Sequence, residues 1–220
     1  MIIETPSNRA EWLIKRHEGI GGSEAAAILG LSPYKSNTEL WAEKTGKAEP
    51  EDISGKECVI FGKRAEEHLR ELFSLYSTQY EVEYHEFDLL ENEEYPFIFA
   101  TLDGILHEKQ TGRTGILEIK TTEIRKSPDW DKWDDKIPDQ YYIQVLHQML
   151  ATGFEFAVLL ANIKYFNPKD DFPRFTTKHY YIERSSSNVT DDIAYLLDEE
   201  IKFWDSVKNG RKPNTILPGI

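Results

Sequence analysis

Apolar residues recur three and four positions apart in three long stretches, and that spacing predicts amphipathic helices. In the first, Val59 to Ser77, the apolar positions Phe61, Ala65, Leu69, Leu72, Phe73 and Tyr76 form one expected buried stripe. Glu66 shares a side with Leu69 and Phe73, whereas Glu67 falls with Glu71 and Ser74 on the wetter side. The second opens at Pro138-Asp139 and closes at Gly153, with Leu146, Met149 and Leu150 on its apolar face. Gln140, Gln144 and Gln148 repeat every four residues along it, beside Tyr141 and His147. A glutamine row on an otherwise buried helix needs hydrogen-bond partners. The third runs through Ile193, Leu197, Ile201, Trp204 and Val207, capped by Thr190 and ended near Gly210.

Shorter helices are expected nearer the start. Ser7 can cap one through Glu11 to Arg16, Ser23 an alanine-rich one ended by Gly30, and a third runs from Thr38 to Lys44, with Leu40 and Trp41 inward and a stop at Gly46. Strand patterns fall at Val82 to Leu90, within Phe97 to Thr122, at Ala157 to Ile163 and at Phe175 to Ile182. The polar segment from Ala48 to Glu57 reads as a surface loop rather than a domain boundary, and Glu123 to Pro138 as a long loop in which Trp130 and Trp133 are packing anchors before they are a nucleotide platform. Helices, then a strand cluster, a helix, two strands and a helix give an α/β fold: a central mixed β-sheet flanked by α-helices, in one domain over residues 1–220.

The segment FIFATLDGILHEKQTGRTGILEIKTT, Phe97 to Thr122, concentrates the chemistry. It reads as two short strands, Asp103 ending the first and Glu118-Ile119-Lys120 lying inside the second. Period-two alternation points Glu118 and Lys120 one way and Leu117, Ile119 and Thr121 the other. If the connection brings Asp103 alongside, two carboxylates converge with one lysine, a set that suits a hard cation such as Mg²⁺. A solvated strand face with a cross-strand ion pair is the ordinary alternative, and Asp-Gly is a common turn. The run from Arg16 to Gly30 places a glycine turn, Gly21-Gly22-Ser23, at a helix start near an arginine, which is either an anion site or a plain N-cap.

Charge narrows the function classes. A net charge of -13 argues against a protein that coats DNA through a uniformly basic surface, but a DNA enzyme gathers acids at its metals and needs cations only along the phosphates. No apolar run reaches the roughly 18 residues of a membrane span, and Met1-Ile2-Ile3-Glu4 lacks a signal-peptide pattern, so a cytoplasmic protein without a membrane partner is expected. The single cysteine, Cys58, makes no internal disulfide and is expected in the core.

In order, Arg16 to Gly30, Gly62-Lys63-Arg64-Ala65-Glu66, Leu102-Asp103-Gly104, Leu117-Glu118-Ile119-Lys120 and Tyr142 to Gln148 resemble the YqaJ-type viral recombinase family, the lambda-type phage exonuclease branch of the PD-(D/E)xK nuclease superfamily. The resemblance covers roughly Trp12 to Gly153, and Leu102 stands where the family expects proline. It implies a restriction-endonuclease-like core. It implies Asp103 and Glu118 as Mg²⁺ ligands with the backbone carbonyl of Ile119, and Glu66 as a third acid acting through a second ion. Mn²⁺ is able to substitute. Lys120 positions or deprotonates the attacking water, Gln144 orders the site, and Arg16, Ser23 and Thr101 hold a terminal 5′-phosphate.

The activity so implied is a Mg²⁺-dependent 5′-to-3′ exonuclease on linear double-stranded DNA, preferring 5′-phosphorylated ends, releasing mononucleotides and leaving 3′ single strands for a single-strand annealing protein. A phage or prophage origin in a bacterial host and a homo-oligomer, a trimeric ring, go with it. Two alternatives belong to other classes: a nuclease-fold protein that binds DNA ends without cutting, and a metal-independent glycoside hydrolase using Glu66 and Glu118 as acid and base.

Overall fold

The computed structural model describes residues 1–166 and 171–216. Five strands form the main sheet, in the order β2 (Tyr80–Glu83), β5 (Gly104–Glu108), β6 (Thr114–Ile124), β7 (Phe156–Tyr165), β8 (Arg174–Glu183). β6 and β7 are parallel and the other neighbours antiparallel. The parallel pair needs a crossover, supplied by helix α5 (Asp139–Thr152). A second sheet joins β1 (Ile2–Glu4), β3 (Leu89–Glu91) and β4 (Phe99–Ala100), and the mixed α/β class expected from the pattern is what forms.

Each face of the main sheet is covered differently. Helix α4 (Glu57–Tyr76) lies on one face, where Leu69 and Phe73 pack with Leu117, Ile119, Phe156, Val158 and Leu160. On the other, α5 meets Ile116, Ala157, Leu159 and Ile163 and is backed by α2 (Gly22–Ile28) and α6 (Ser187–Lys208). α3 (Asn37–Lys44) closes a third apolar cluster through Leu40 and Trp41, against Ile20 and the end of α6. α1 (Arg9–His17) leads into this cluster, and Ile20 exchanges backbone hydrogen bonds with Phe97 and Phe99, which ties the turn before α2 to β4.

Several expectations change here. The stretch Val82 to Leu90 is two strands of different sheets, broken where Phe87 takes a left-handed φ of 72°. Likewise Asp103 does not end a strand paired in a hairpin. Phe99–Ala100 belongs to the small sheet, and Asp103 precedes β5. Only Leu69 and Phe73 of the long helix are buried, while Phe61, Leu72 and Tyr76 are exposed, because a single helix over one sheet face buries only a narrow stripe. Cys58 is exposed, on the first turn of that helix, and is not core. The caps are Asn8, Gly21 and Ser186, not Ser7, Ser23 and Thr190. In each case the side chain expected to cap binds elsewhere: Ser7 to Glu11, Ser23 to Arg16, and Thr190 to the Arg184 carbonyl. Trp133 is buried against Tyr141 and Tyr180, and Trp130 meets Tyr165 edge-on, so both act as packing anchors.

One polar contact is fully enclosed. His147 Nδ1 lies 2.6 Å from Glu200 Oε1, and both side chains are 0% exposed. His147 Nε2 is 2.9 Å from the carbonyl oxygen of Phe99, which can only accept, so Nε2 carries a proton. Burial works against a charge on the ring, but the Glu200 carboxylate outweighs it and raises His147 above the ordinary histidine value. The pair pins α6 to α5 and to β4. Glu200→Ala should lower unfolding free energy by about 3–5 kcal/mol, because it strands a buried partner, and urea denaturation reads this directly. A loss under about 1 kcal/mol would show the pair to be dispensable.

Candidate active site

The site is built on the middle of β6. Ile116 and Ile124 of this strand join the α5-side core, and Leu117 and Ile119 the α4-side core, so Glu118 and Lys120 share a face, as expected, and that face is the α5 side. Pairing of Gly104 with Leu117 brings Asp103, the residue before Gly104, beside Glu118. Asp103 Oδ2 accepts from the Ile119 N–H at 2.7 Å. The two carboxylates and the lysine therefore do converge.

Glu118 is 2% exposed in mid-strand, and three donors surround it. Lys120 Nζ lies 2.5 Å from Oε1, Gln144 Nε2 donates to Oε1 at 2.7 Å, and Gln148 Nε2 donates to Oε2 at 2.5 Å. A carboxylate only accepts, which fixes both amides with nitrogen toward it. Gln148 also reaches the Thr101 carbonyl at 3.4 Å, and its own Oε1 is buried without a hydrogen-bond partner. Two of the three glutamines in the row, Gln144 and Gln148, thus share Glu118 as their partner; only the period-four spacing signalled Gln148.

The electrostatics follow from crowding acids out of water. Burial raises Asp103 well above the ordinary aspartate value, the Glu118 charge adds to this, and Lys120 works against it. Glu66, half-buried on α4, is also raised, first by burial; Lys120 opposes that, Glu118 adds to it, and Arg70 and Lys63 oppose it. Burial disfavours a charged Lys120, but Glu118 and Asp103 outweigh it and raise the amine above its ordinary value. Lys120 also lies 5.3 Å from the Tyr141 ring centroid. Such a pair of acids has a deficit of positive charge that a divalent cation would fill. Among the described residues no group of three or more His, Cys, Asp or Glu is placed to hold a metal by itself. Mg²⁺ does not need one, since it usually takes one or two carboxylates and keeps several waters. The donor set fits Mg²⁺ and does not resemble a zinc cage.

The second group forms at the start of α2. Arg16 NH2 donates to Ser23 Oγ at 3.3 Å, and its guanidinium carbon stands 4.5 Å from the Trp12 ring centroid. Burial lowers Arg16 from the usual arginine value, against the attraction of Glu24, with Arg9 adding to the effect. Glu24 is occupied by the Gly21 N–H at 2.9 Å and by Lys44 at 2.8 Å, so its charge is offset within the fold. The motif pattern left Lys44 and Trp12 unassigned. Through its backbone carbonyl, Thr101 meets Gln148, one of the residues that hold Glu118, rather than Arg16 or Ser23. At Gly22 a Cβ would stand 3.2 Å from Gln144 Cγ and 3.5 Å from Gln148 Cγ, so a bare Cα lets α2 lie directly on the two glutamines that hold Glu118.

Fold and site together define a mixed α/β domain with an acidic centre on the middle strand of its sheet. Residues 11–155 match the YqaJ-like viral recombinase domain, and the chain belongs to that family. The protein YqaJ of Bacillus subtilis (strain 168) is 35% identical over 212 residues, covering 94% of this chain and 59% of its own length. A protein of Acanthamoeba polyphaga mimivirus is 30% identical over 154 residues, covering 66% of this chain and 27% of its own. The chain thus spans less than two thirds of these relatives. Among solved structures, LHK-Exo in complex with dAMP has a TM-score of 0.64 at 17% identity, covering 92% of this chain and 94% of its own. The alkaline exonuclease LHK-Exo from Laribacter hongkongensis gives 0.61 at 16%, covering 92% and 97%. A phage-related exonuclease from Haemophilus somnus 129PT gives 0.57 at 16%, covering 87% and 96%. These likenesses show the fold.

A carboxylate whose folded pKa lies above its unfolded value binds extra protons in the native state, so metal-free stability falls as pH rises past the ordinary aspartate range. Asp103→Asn should reduce that slope, leaving the part due to Glu66, and raise the melting temperature of the metal-free protein at neutral pH. Calorimetric melting in chelator at several pH values checks it. An unchanged slope would place the strain on another group.

Proposed function

We propose that this chain is a Mg²⁺-dependent exonuclease that digests linear duplex DNA 5′ to 3′ from a 5′-phosphorylated end. It releases mononucleotides and leaves a 3′ single strand for a single-strand annealing protein. The observation that carries this reading is a shared helix. Gln144 and Gln148 of α5 hold Glu118 through their amides and support the Arg16–Ser23 turn through their stems. On this reading one helix supports both the residues proposed to recognise the end and those proposed for the chemistry.

When bound, Mg²⁺, or Mn²⁺ in its place, would supply positive charge where the phosphodiester gains negative charge, with a second ion able to share that role. Asp103 and Glu118 would hold it with the Ile119 carbonyl, and Glu66 would act on a second ion or its waters. Lys120, kept charged by its two carboxylate neighbours, orients the attacking water. Gln144 and Gln148 fix the plane of Glu118. Arg16 and Ser23, with Thr101, hold the terminal phosphate by charge-assisted hydrogen bonds and touch no reacting atom. With a net charge of -13, binding to DNA is local, salt-sensitive and helped by the metal. A ring of three copies would keep the protein on its substrate.

Release of acid-soluble nucleotide from linear duplex DNA, with 5′-phosphate or 5′-hydroxyl ends, in Mg²⁺ or in chelator, tests the reading. Cleavage should require the metal and favour the phosphorylated end, and Asp103→Ala, Glu118→Ala and Lys120→Ala should each abolish it. Near-wild-type hydrolysis by any of the three would remove that residue from the site. Arg16→Ala should bring the two substrate rates together by slowing the phosphorylated one roughly tenfold or more, the worth of a charge-assisted hydrogen bond. Equal slowing of both would move the phosphate pocket elsewhere.

A further inference from the structure

Arg70 stands one turn beyond Glu66 on α4, where an i,i+4 ion pair is the ordinary expectation. Its Nε–H instead donates to the backbone carbonyl of Asp103 at 2.7 Å. Its guanidinium carbon lies 3.5 Å from the centroid of the Tyr84 ring, a cation–π contact that seats the side chain. The contact goes to the Asp103 carbonyl, so the Asp103 carboxylate gains no competing cation there. Lys120 pairs with Glu118 in the same way that leaves Asp103 to the Ile119 N–H.

The peptide after Asp103 is confined from two other sides. At Gly104 a Cβ would stand 3.2 Å from Val82 Cγ1 and 3.3 Å from Leu117 Cβ, so β2 and β6 press on that backbone. Those restraints come from the sheet alone. Leu69 and Phe73 already pack the helix that carries Glu66 onto the sheet, and Arg70 adds a directional polar link from that helix to the Asp103 turn itself. We propose that Arg70, seated on Tyr84, is a positioning residue that holds the Asp103 turn and Glu66 in register for a divalent cation. The proposal rests on the nuclease reading of the site. A supporting partner of this kind typically contributes 10–100-fold to metal affinity or activity, roughly the range expected here.

The test is Mn²⁺ binding by titration calorimetry without DNA, on proteins shown to be folded by circular dichroism, alongside Mg²⁺-dependent hydrolysis. Arg70→Met should weaken Mn²⁺ binding about tenfold or more. The Mg²⁺ needed for half-maximal rate should rise in parallel, while KM for duplex ends stays within about threefold. Arg70→Lys, which keeps a charge and a donor, should recover part of the loss, and Tyr84→Leu should show a smaller shift in the same direction. If Arg70→Met does not fold, these two variants decide the matter. Wild-type Mn²⁺ affinity in all the folded variants overturns the proposal. So does a rise in KM alone, with a shallower salt dependence, which would make Arg70 a DNA-phosphate contact. Wild-type protein that binds no Mn²⁺ would instead overturn the metal reading itself, and the proposal with it.

Discussion

The structure turns on a carboxylate placed where water cannot reach it. Glu118 is 2% exposed inside the central strand, and an ionised acid there is costly unless each oxygen has a donor. Lys120, Gln144 and Gln148 supply those donors, and that requirement fixes the rest. It sets which face β6 turns toward α5, why α5 must carry glutamines on the face it presents to the sheet, and why α2 begins with a glycine that lies flat on them. Apolar packing holds the layers together, but this cluster decides their register.

The same cluster is unbalanced. One lysine faces Asp103, Glu118 and, further out, Glu66, and burial with mutual repulsion raises Asp103 and Glu66 from their ordinary values. A protein that keeps such strain has spent stability on a charge arrangement, which is characteristic of sites that bind cations or stabilise developing charge. By contrast, the buried His147–Glu200 pair sets one imidazole against one carboxylate between α5, α6 and β4. It serves the fold.

Much of this was legible in the residue pattern, for stated reasons. Strand alternation is a strict period of two, so the shared face of Glu118 and Lys120 followed from sequence, and period-four glutamines on a buried helix required partners. Glu66 was preferred to Glu67 by its neighbours on the helix, and it is the half-buried one. What the pattern missed is set by tertiary contact. A left-handed Phe87 breaks one expected strand into two sheets. The side chains expected to cap helices bind elsewhere because Asn8, Gly21 and Ser186 take the cap conformations. Phe61, Leu72 and Tyr76 have the spacing of core residues, yet no second layer covers them among the described residues. Local spacing offers Arg70 only an i,i+4 neighbour in Glu66, and the fold alone brings the Asp103 carbonyl within its reach.

The central claim is that Asp103 and Glu118 together receive a divalent cation. Crystals grown with Mn²⁺ and measured at its absorption edge test this without reference to catalysis. The account predicts an anomalous peak bonded to oxygens of both Asp103 and Glu118, with Lys120 displaced from its contact with Glu118 Oε1. An absent peak at saturating Mn²⁺, with Lys120 still paired to Glu118, would contradict it.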